Sequence, residues 1–376
     1  LSAGFLVQIS QTRETSVLLA ALSYLRQLED LAAEDLYAKM SRCEAVLCED
    51  AYYERMDRQT KDLYRFRIAQ EAEKNGVSET EKASVLLAEA QERYADGHIG
   101  HLLFPPRKTG WYLALTVGLC AACSALVGLL CGGWVGVLSV LPLFEAVKAW
   151  VDFVCSRLFP ACHVPAMNTE KGCPKTLVAT VTVLRDEAGI EEVLQKTERC
   201  FFANRCEGLR FGILADLPEA NSPVCEQDRE LLFRLQEGVE RLNFRYEGHF
   251  FCAVRRRTPD GEGTFSGWER KRGAILQFLQ ATRGIGTDAF SVLMGDLADA
   301  AYFCALDGDT VPAPDSVRKL VGVLLHPLSR PVRNAEGTAV VSGFGIAAPR
   351  MDVELSSASA NLFTQLISGS GGAEVY

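Results

Sequence analysis

The sequence lacks an excess of positive charge, cysteine pairs repeated at metal-binding spacing, a recognisable secretory leader and, outside one region, any long apolar run. With a formal net charge of −9, it does not suit nucleic acid as its main partner, because neutralising a phosphate backbone needs a basic face. Its 13 cysteines do not read as a disulfide framework or a zinc centre: Cys120, Cys123, Cys131 and Cys155 lie in apolar runs and the rest are scattered. Reduced thiols facing a cytoplasm are expected. Cys120 and Cys123 form a CxxC with no His, Asp or second pair nearby. Small apolar packing residues is the simpler reading of that pair, and a metal or redox role is the alternative. The first residue is Leu1, and no basic stretch followed by an apolar run and cleavage site appears, so the chain reads as an internal segment. An apolar share of 48% over 376 residues fills a sizeable core in two or three domains and argues against general disorder.

Three compositional blocks follow one another. Residues 1–104 are rich in Leu, Ala, Glu, Arg and Lys, with Leu18, Leu19, Leu22, Leu25 and Leu28 at helical spacing, and predict an α-helical region. Ser78 with Glu81 forms a capping-box pattern ahead of a helix carrying Ala83, Leu86, Leu87 and Ala90. The residues leave this block as a helical linker or docking module.

The second block, 105–160, starts at Pro105 and Pro106, which end a helix. The uncharged run Trp111 to Cys131 is long enough, at ~1.5 Å per residue, to span a bilayer core of about 30 Å. Gly132 and Gly133 permit a break, and a second apolar stretch follows until Glu145, Lys148 and Asp152 interrupt it. These charges share one helix face, opposite Val147, Trp150, Val151 and Val154. A transmembrane hairpin is predicted whose second arm ends as an interfacial helix, with an intramembrane ion pair as the alternative. Arg107 and Lys108 before it, and Arg157, Lys171 and Lys175 after it, place both ends on the cytoplasmic side.

The third block, 161–376, alternates β-rich runs with helical patterns and predicts an α/β sheet. Leu177 to Leu184 reads as a strand, Ile190 to Cys200 as a helix, Leu209 to Leu217 as a strand carrying Asp216, and Ala301 to Leu306 as a strand ending in acid. Ligands bind beyond the carboxyl ends of such strands. In Asp307-Gly308-Asp309-Thr310, two carboxylates two residues apart in an extended segment would face one side and could share a Mg²⁺ or Mn²⁺. Such an ion would stabilise the charge that develops on a leaving nucleotide. Gly308 would let the backbone approach closely. The competing reading is hairpin turn chemistry at Asp-Gly. Upstream, Gly267 to Gly273 reads GWERKRG and opens a helix at Ala274; its cations, at a helix N-terminus, suit a diphosphate, and a solvated basic turn is the alternative. Arg255, Arg256 and Arg257 end an apolar strand and read as a solvated strand end.

These segments together resemble the cyclic β-1,2-glucan synthases, whose transferase part is glycosyltransferase family 84. The resemblance is carried by YERMDRQTKDLYR at 53–65, His98-Ile99-Gly100, Leu177 to Leu184 with Phe202-Ala203-Asn204, and LRFGILADLPEA at 209–220. It continues through GWERKRGAI at 267–275, LDGDT at 306–310, LVGVLLHPLSRP at 320–331 and GFGIAAPR at 343–350. What it implies is an α/β GT-A-like, Rossmann-like transferase domain, preceded by the helical region and the transmembrane hairpin, in a multi-pass protein of a bacterial inner membrane with its transferase domain cytoplasmic. The implied activity is inverting, metal-dependent transfer from UDP-glucose to a growing β-1,2-glucan, with membrane lipid as surroundings. Asp216, Trp268, Lys271 and Arg272 would bind the nucleotide sugar, and Asp307 and Asp309 the metal. Inversion also needs a general base on the acceptor hydroxyl. No residue here matches one, and the base and acceptor segment are expected beyond Tyr376.

Two departures from the family pattern stand out. Gly308 occupies a position where the family usually has Ala, and Ala347-Ala348 precede Pro349 and Arg350 where it tends to have Leu-Gln, removing a hydrogen-bonding amide. A degenerate or truncated membrane protein that binds nucleotide sugar or partners without turnover is the alternative function.

Overall fold

The structure, a computed structural model, describes residues 41–105, 110–159, 163–261, 263–349, 359 and 361–367. The leucine-rich helix expected around Leu18 to Leu28, the basic pair Arg107 and Lys108, and Arg350 lie outside the described residues. The chain divides into two compact units between His163 and Val164.

Among its described residues the first unit is built of helices: α1 (Arg42–Leu47), α2 (Arg58–Asn75), α3 (Glu79–Arg93), α4 (Gly100–Leu103), α5 (Gly110–Cys131) and α6 (Gly133–Leu158). Short polar side chains start the early helices. Ser41, Asp57 and Ser78 each accept a backbone N–H of the first turn, the last from Glu81 as the capping pattern implies. Gly76 closes α2 in the left-handed conformation (φ 67°) that a C-terminal glycine supplies without steric cost.

The motifs of this region form its core. Tyr53, Met56, Tyr64, His98 and Ile99 are fully buried. His98 is held from both ring nitrogens, by Asp50 Oδ2 at 2.8 Å and Tyr64 Oη at 2.8 Å, so these buried polar groups satisfy one another. A methyl at Gly100 would lie 2.2 Å from the Tyr64 hydroxyl, which explains a glycine directly after His98-Ile99.

Helices α5 and α6 lie antiparallel, joined at Gly132 (φ 106°). Tyr112 donates to Asp152 at 2.6 Å near the open end, the Cys120 thiol reaches the Val140 carbonyl at 3.7 Å midway, and Gly128 meets Gly136 near the turn. Thr116, Cys120, Ser124 and Gly128, four residues apart, therefore form a small-residue seam that lets the backbones approach. Leu129, Trp134, Leu138 and Leu141 point outward and are highly exposed. By length and composition α5 alone among the described helices suffices to cross a membrane. In α6, Lys148 pairs with Asp152 at 3.3 Å.

The second unit contains a five-stranded sheet in the order β6-β3-β2-β1-β7, built from β1 (Thr176–Val183), β2 (Leu209–Asp216), β3 (Phe250–Arg255), β6 (Phe290–Met294) and β7 (Tyr302–Asp307). Two-residue strands β4 (Thr258–Pro259) and β5 (Phe265–Ser266) pair separately, as do β8 (Val332–Arg333) and β9 (Val340–Ser342). Strands β1, β2, β3 and β7 are parallel and β6 runs antiparallel on one edge. Helices cover both faces, so the central strands read as unbroken apolar runs. On one face α7 (Glu187–Ala203) and α8 (Glu226–Arg245) bury Val193, Leu194, Leu235 and Val239 against Val178, Phe211 and Ile213. On the other, α9 (Arg270–Ala281) packs Ala274 and Phe278 on Leu177, Leu214 and Phe251. Helix α10 (Ser316–Leu325) follows β7. The observed α/β unit is thus Rossmann-like, as the alternation of patterns predicts.

Candidate functional site

Parallel pairing brings the two acidic strand ends together. Asp216 of β2 is in register with Val183 of β1, and Asp307 of β7 with Val181 on the other side of the same strand. Both carboxylates stand at the carboxyl end of the sheet, where helices cover the faces and leave the crest accessible.

Asp216 is held by Arg255, whose Nε and Nη2 donate to its two oxygens at 2.6 and 2.7 Å. Arg255 is only 1% exposed, which corrects the expectation of a solvated strand end. Its neighbour Arg257 is also buried and forks onto Asp228 at 2.6 and 2.9 Å. The arginines are inside because each has a carboxylate and backbone carbonyls to satisfy it. A Cβ at Gly267 would lie 2.6 Å from both Asp216 Oδ2 and Arg255 Nη2, so the turn bearing Trp268 presses directly on this pair.

Helix α9 begins at Arg270, earlier than the expected Ala274, and Lys271 and Arg272 sit in its first turn. Lys271 Nζ reaches Asp307 Oδ1, joining the basic segment to the acidic strand end. Trp268 is half-exposed, and its carbonyl accepts from Arg255 at 2.8 Å. The Arg272 side chain is 84% exposed and pairs with Glu269 at 3.3 Å. Asp216 and Trp268 are thus joined through Arg255, and Lys271 directly to Asp307, whereas Arg272 reaches none of the acidic groups at the strand ends.

Asp309 follows β7 in a turn closed by Thr310 N–H to Asp307 O at 3.0 Å, not in the extended segment expected. The hairpin reading of Asp-Gly fails, since the chain proceeds from this turn to α10. Gly308 is not forced by a close approach: a Cβ there meets its nearest atoms at 3.9 Å, so Ala would fit equally well.

Sequence reasoning missed Lys196. It lies on α7, is buried, and donates to the carbonyls of Asp307, at 3.1 Å, and Gly308. Burial lowers its pKa, while the charges of Cys200, Asp309 and Glu192 act in the opposite sense. A buried cation thus braces the acidic turn from below. No periodic pattern marks it, because Lys196 differs from an exposed helical lysine only in what lies above it.

Among the described residues no group of three or more His, Cys, Asp or Glu side chains is gathered as a self-sufficient metal site. A hard cation can also be held by one or two carboxylates and completed by water and phosphate oxygens, the arrangement that Asp307 and Asp309 would have to supply. Asp307 is paired with the Lys271 ammonium.

A mainly parallel five-stranded sheet with helices on both faces defines a Rossmann-like α/β domain, the class in which ligands bind beyond the carboxyl ends of the strands. Within curated proteins the chain is similar to the cyclic β-(1,2)-glucan synthase NdvB of Rhizobium meliloti (strain 1021), at 24% identity over 405 aligned residues. The match covers 94% of this chain and 14% of that protein, so the resemblance extends across both units, while the chain spans a small part of the relative's length. No protein-family model matches the chain.

Proposed function

We propose that this chain is the donor-binding part of a membrane-attached glucosyltransferase that uses UDP-glucose and a divalent cation, in an inverting reaction, to extend a β-1,2-glucan. The observation that carries the reading is the convergence of Lys271, Asp307 and the Asp216–Arg255 pair on one end of the sheet, in a chain similar along its length to a glucan synthase. Asp307 and Asp309 would hold Mg²⁺ or Mn²⁺, which supplies charge neutralisation for the departing nucleoside diphosphate. Lys271, in the first turn of α9, is placed to leave Asp307 and meet the donor phosphates, where the helix N-terminus adds its own attraction for anions. Asp216 and the face of Trp268 flank the same crest and would position the nucleoside. The acceptor base is assigned to no residue of this chain. The outward apolar surface of α5 and α6 supports placement in a bilayer, with buried small residues in the seam and large apolar side chains outside.

The test is UDP binding to the full chain in detergent by calorimetry, with and without Mn²⁺, beside Asp309→Ala. Mn²⁺ should tighten UDP binding in the parent protein and have little effect in the variant. UDP affinity indifferent to both Mn²⁺ and Asp309 would refute the reading. UDP binding without incorporation of labelled glucose by the full-length protein would instead favour the non-turnover alternative.

A further inference from the structure

Arg255, 1% exposed, heads the fully buried side chains in size among the described residues, and every one of its N–H donors is engaged. Nε and one Nη2 hydrogen go to Asp216 at 2.6 and 2.7 Å; the other Nη2 hydrogen goes to the Arg270 carbonyl at 2.9 Å; and Nη1 serves the Trp268 carbonyl and Gln277 Oε1, both at 2.8 Å. One guanidinium therefore ties the end of β2, the end of β3, the turn 267–270 and the second turn of α9 into a single arrangement. A buried ion pair of this kind is a poor source of stability compared with apolar packing. It is a good way to specify geometry.

The geometry it specifies is unusual. Glu269 and Arg270 are consecutive non-glycine residues in the left-handed region, at φ 48° and 47°. Such backbone persists only where surrounding contacts over-determine it. Two of the three acceptors that Arg255 uses outside Asp216 belong to this turn, the carbonyls of Trp268 and Arg270, so the guanidinium grips it on both sides of Glu269. A Cβ at Gly273 would lie 1.9 Å from the Trp268 carbonyl, so only glycine lets the helix pack this closely against the turn. The residue after this pinned turn is Lys271, which meets Asp307.

We propose that Arg255 is a positioning residue: it holds the strained 267–270 turn so that Lys271 is aimed at Asp307 and at the phosphates of a bound nucleoside diphosphate. This rests on the donor-site reading above and adds that the aim of Lys271 is set by a side chain that never touches the ligand. The consequence is energetic coupling between two residues whose side chains make no bond to each other.

The experiment measures UDP affinity in the presence of Mn²⁺ for the full chain and for Lys271→Ala, Arg255→Lys and the double variant. Losing the charged lysine contact should weaken UDP about tenfold. Arg255→Lys, which cannot reproduce the planar fork, should weaken it by a similar factor, and the double variant should be within about twofold of Lys271→Ala alone. Gly267→Ala, which drives a methyl into the same fork, serves as a second perturbation if Arg255→Lys does not fold, and should show the same non-additivity. Effects that multiply in the double variants, or an Arg255→Lys and a Gly267→Ala that leave UDP affinity intact, overturn the positioning role while leaving the donor site standing. A parent protein that does not bind UDP, or a Lys271→Ala that binds it normally, removes both.

Discussion

Replacing Arg257 with Met tests whether the buried ion pair behind the sheet behaves as its geometry implies. Arg257 and Asp228 are both nearly inaccessible and are joined by two parallel N–H···O bonds, and Asp228 also accepts the Cys225 N–H at 2.7 Å at the start of α8. Removing the cation leaves a carboxylate buried with only its capping bond, a situation that costs about 3–5 kcal/mol. Removing both partners, as Arg257→Met with Asp228→Leu, should recover most of that loss, leaving roughly 0.5–2 kcal/mol for the missing cap. Native-state hydrogen exchange read by mass spectrometry on Phe250–Arg255 measures the local opening free energy without requiring two-state unfolding of the whole chain. The pH dependence supplies a second reading. Burial alone would raise the Asp228 pKa, but the Arg257 hydrogen bonds, the Cys225 N–H and the Arg257 charge outweigh it and hold the carboxyl below its usual range. The folded-state pKa is depressed, so the stabilisation is complete above the unfolded value of about 3.9 and fades as pH falls through the lower folded value. Asp228→Asn should flatten that acid limb. A single Arg257→Met costing under about 1 kcal/mol would refute the reasoning, since that is the worth of a solvated surface pair.

Two further outcomes follow from particular contacts. Gly136→Val places a side chain 2.7 Å from both Gly128 Cα and the Ser124 carbonyl, an overpacking worth about 1–3 kcal/mol; maleimide labelling of Cys120, buried in the same seam, should accelerate, and an unchanged rate would contradict the close helix contact. Lys196→Met removes the donor to the Asp307 and Gly308 carbonyls, so the Thr310 amide should exchange roughly tenfold faster; equal protection would show that the turn stands without its brace.

Local patterns made much of the α/β unit legible. The β-branched run at Leu177, the amphipathic stretch from Ile190, the run from Leu209 and the strand ending in acid all correspond to observed elements, with ends moved by a few residues. Burial on both faces gives parallel strands their continuous apolar signature. Strand β6 escaped notice because it is only five residues long and its exposed and buried residues alternate on an antiparallel edge. The candidate site was legible in its acids, which stand in recognisable strings, and illegible in its supports. Arg255 looks like a solvated terminus until Asp216, 39 residues earlier in the chain, is folded against it, and Lys196 looks like any helical lysine until β7 is laid beside α7. Charge burial is a tertiary property. A one-dimensional pattern shows which charges exist and leaves unstated which of them have found partners.

Among the described residues β7 lies at an edge of the sheet, bonded to β1 along one flank. The acidic turn is thus carried like the tip of a cantilever, rooted at Tyr302 and braced underneath by a lysine. An edge strand offers alternate N–H and C=O groups along its second flank. A strand that docked along that flank would stiffen the end of β7 and the turn after it, changing how firmly Asp307 and Asp309 would hold the proposed ion without contributing a single ligand to it.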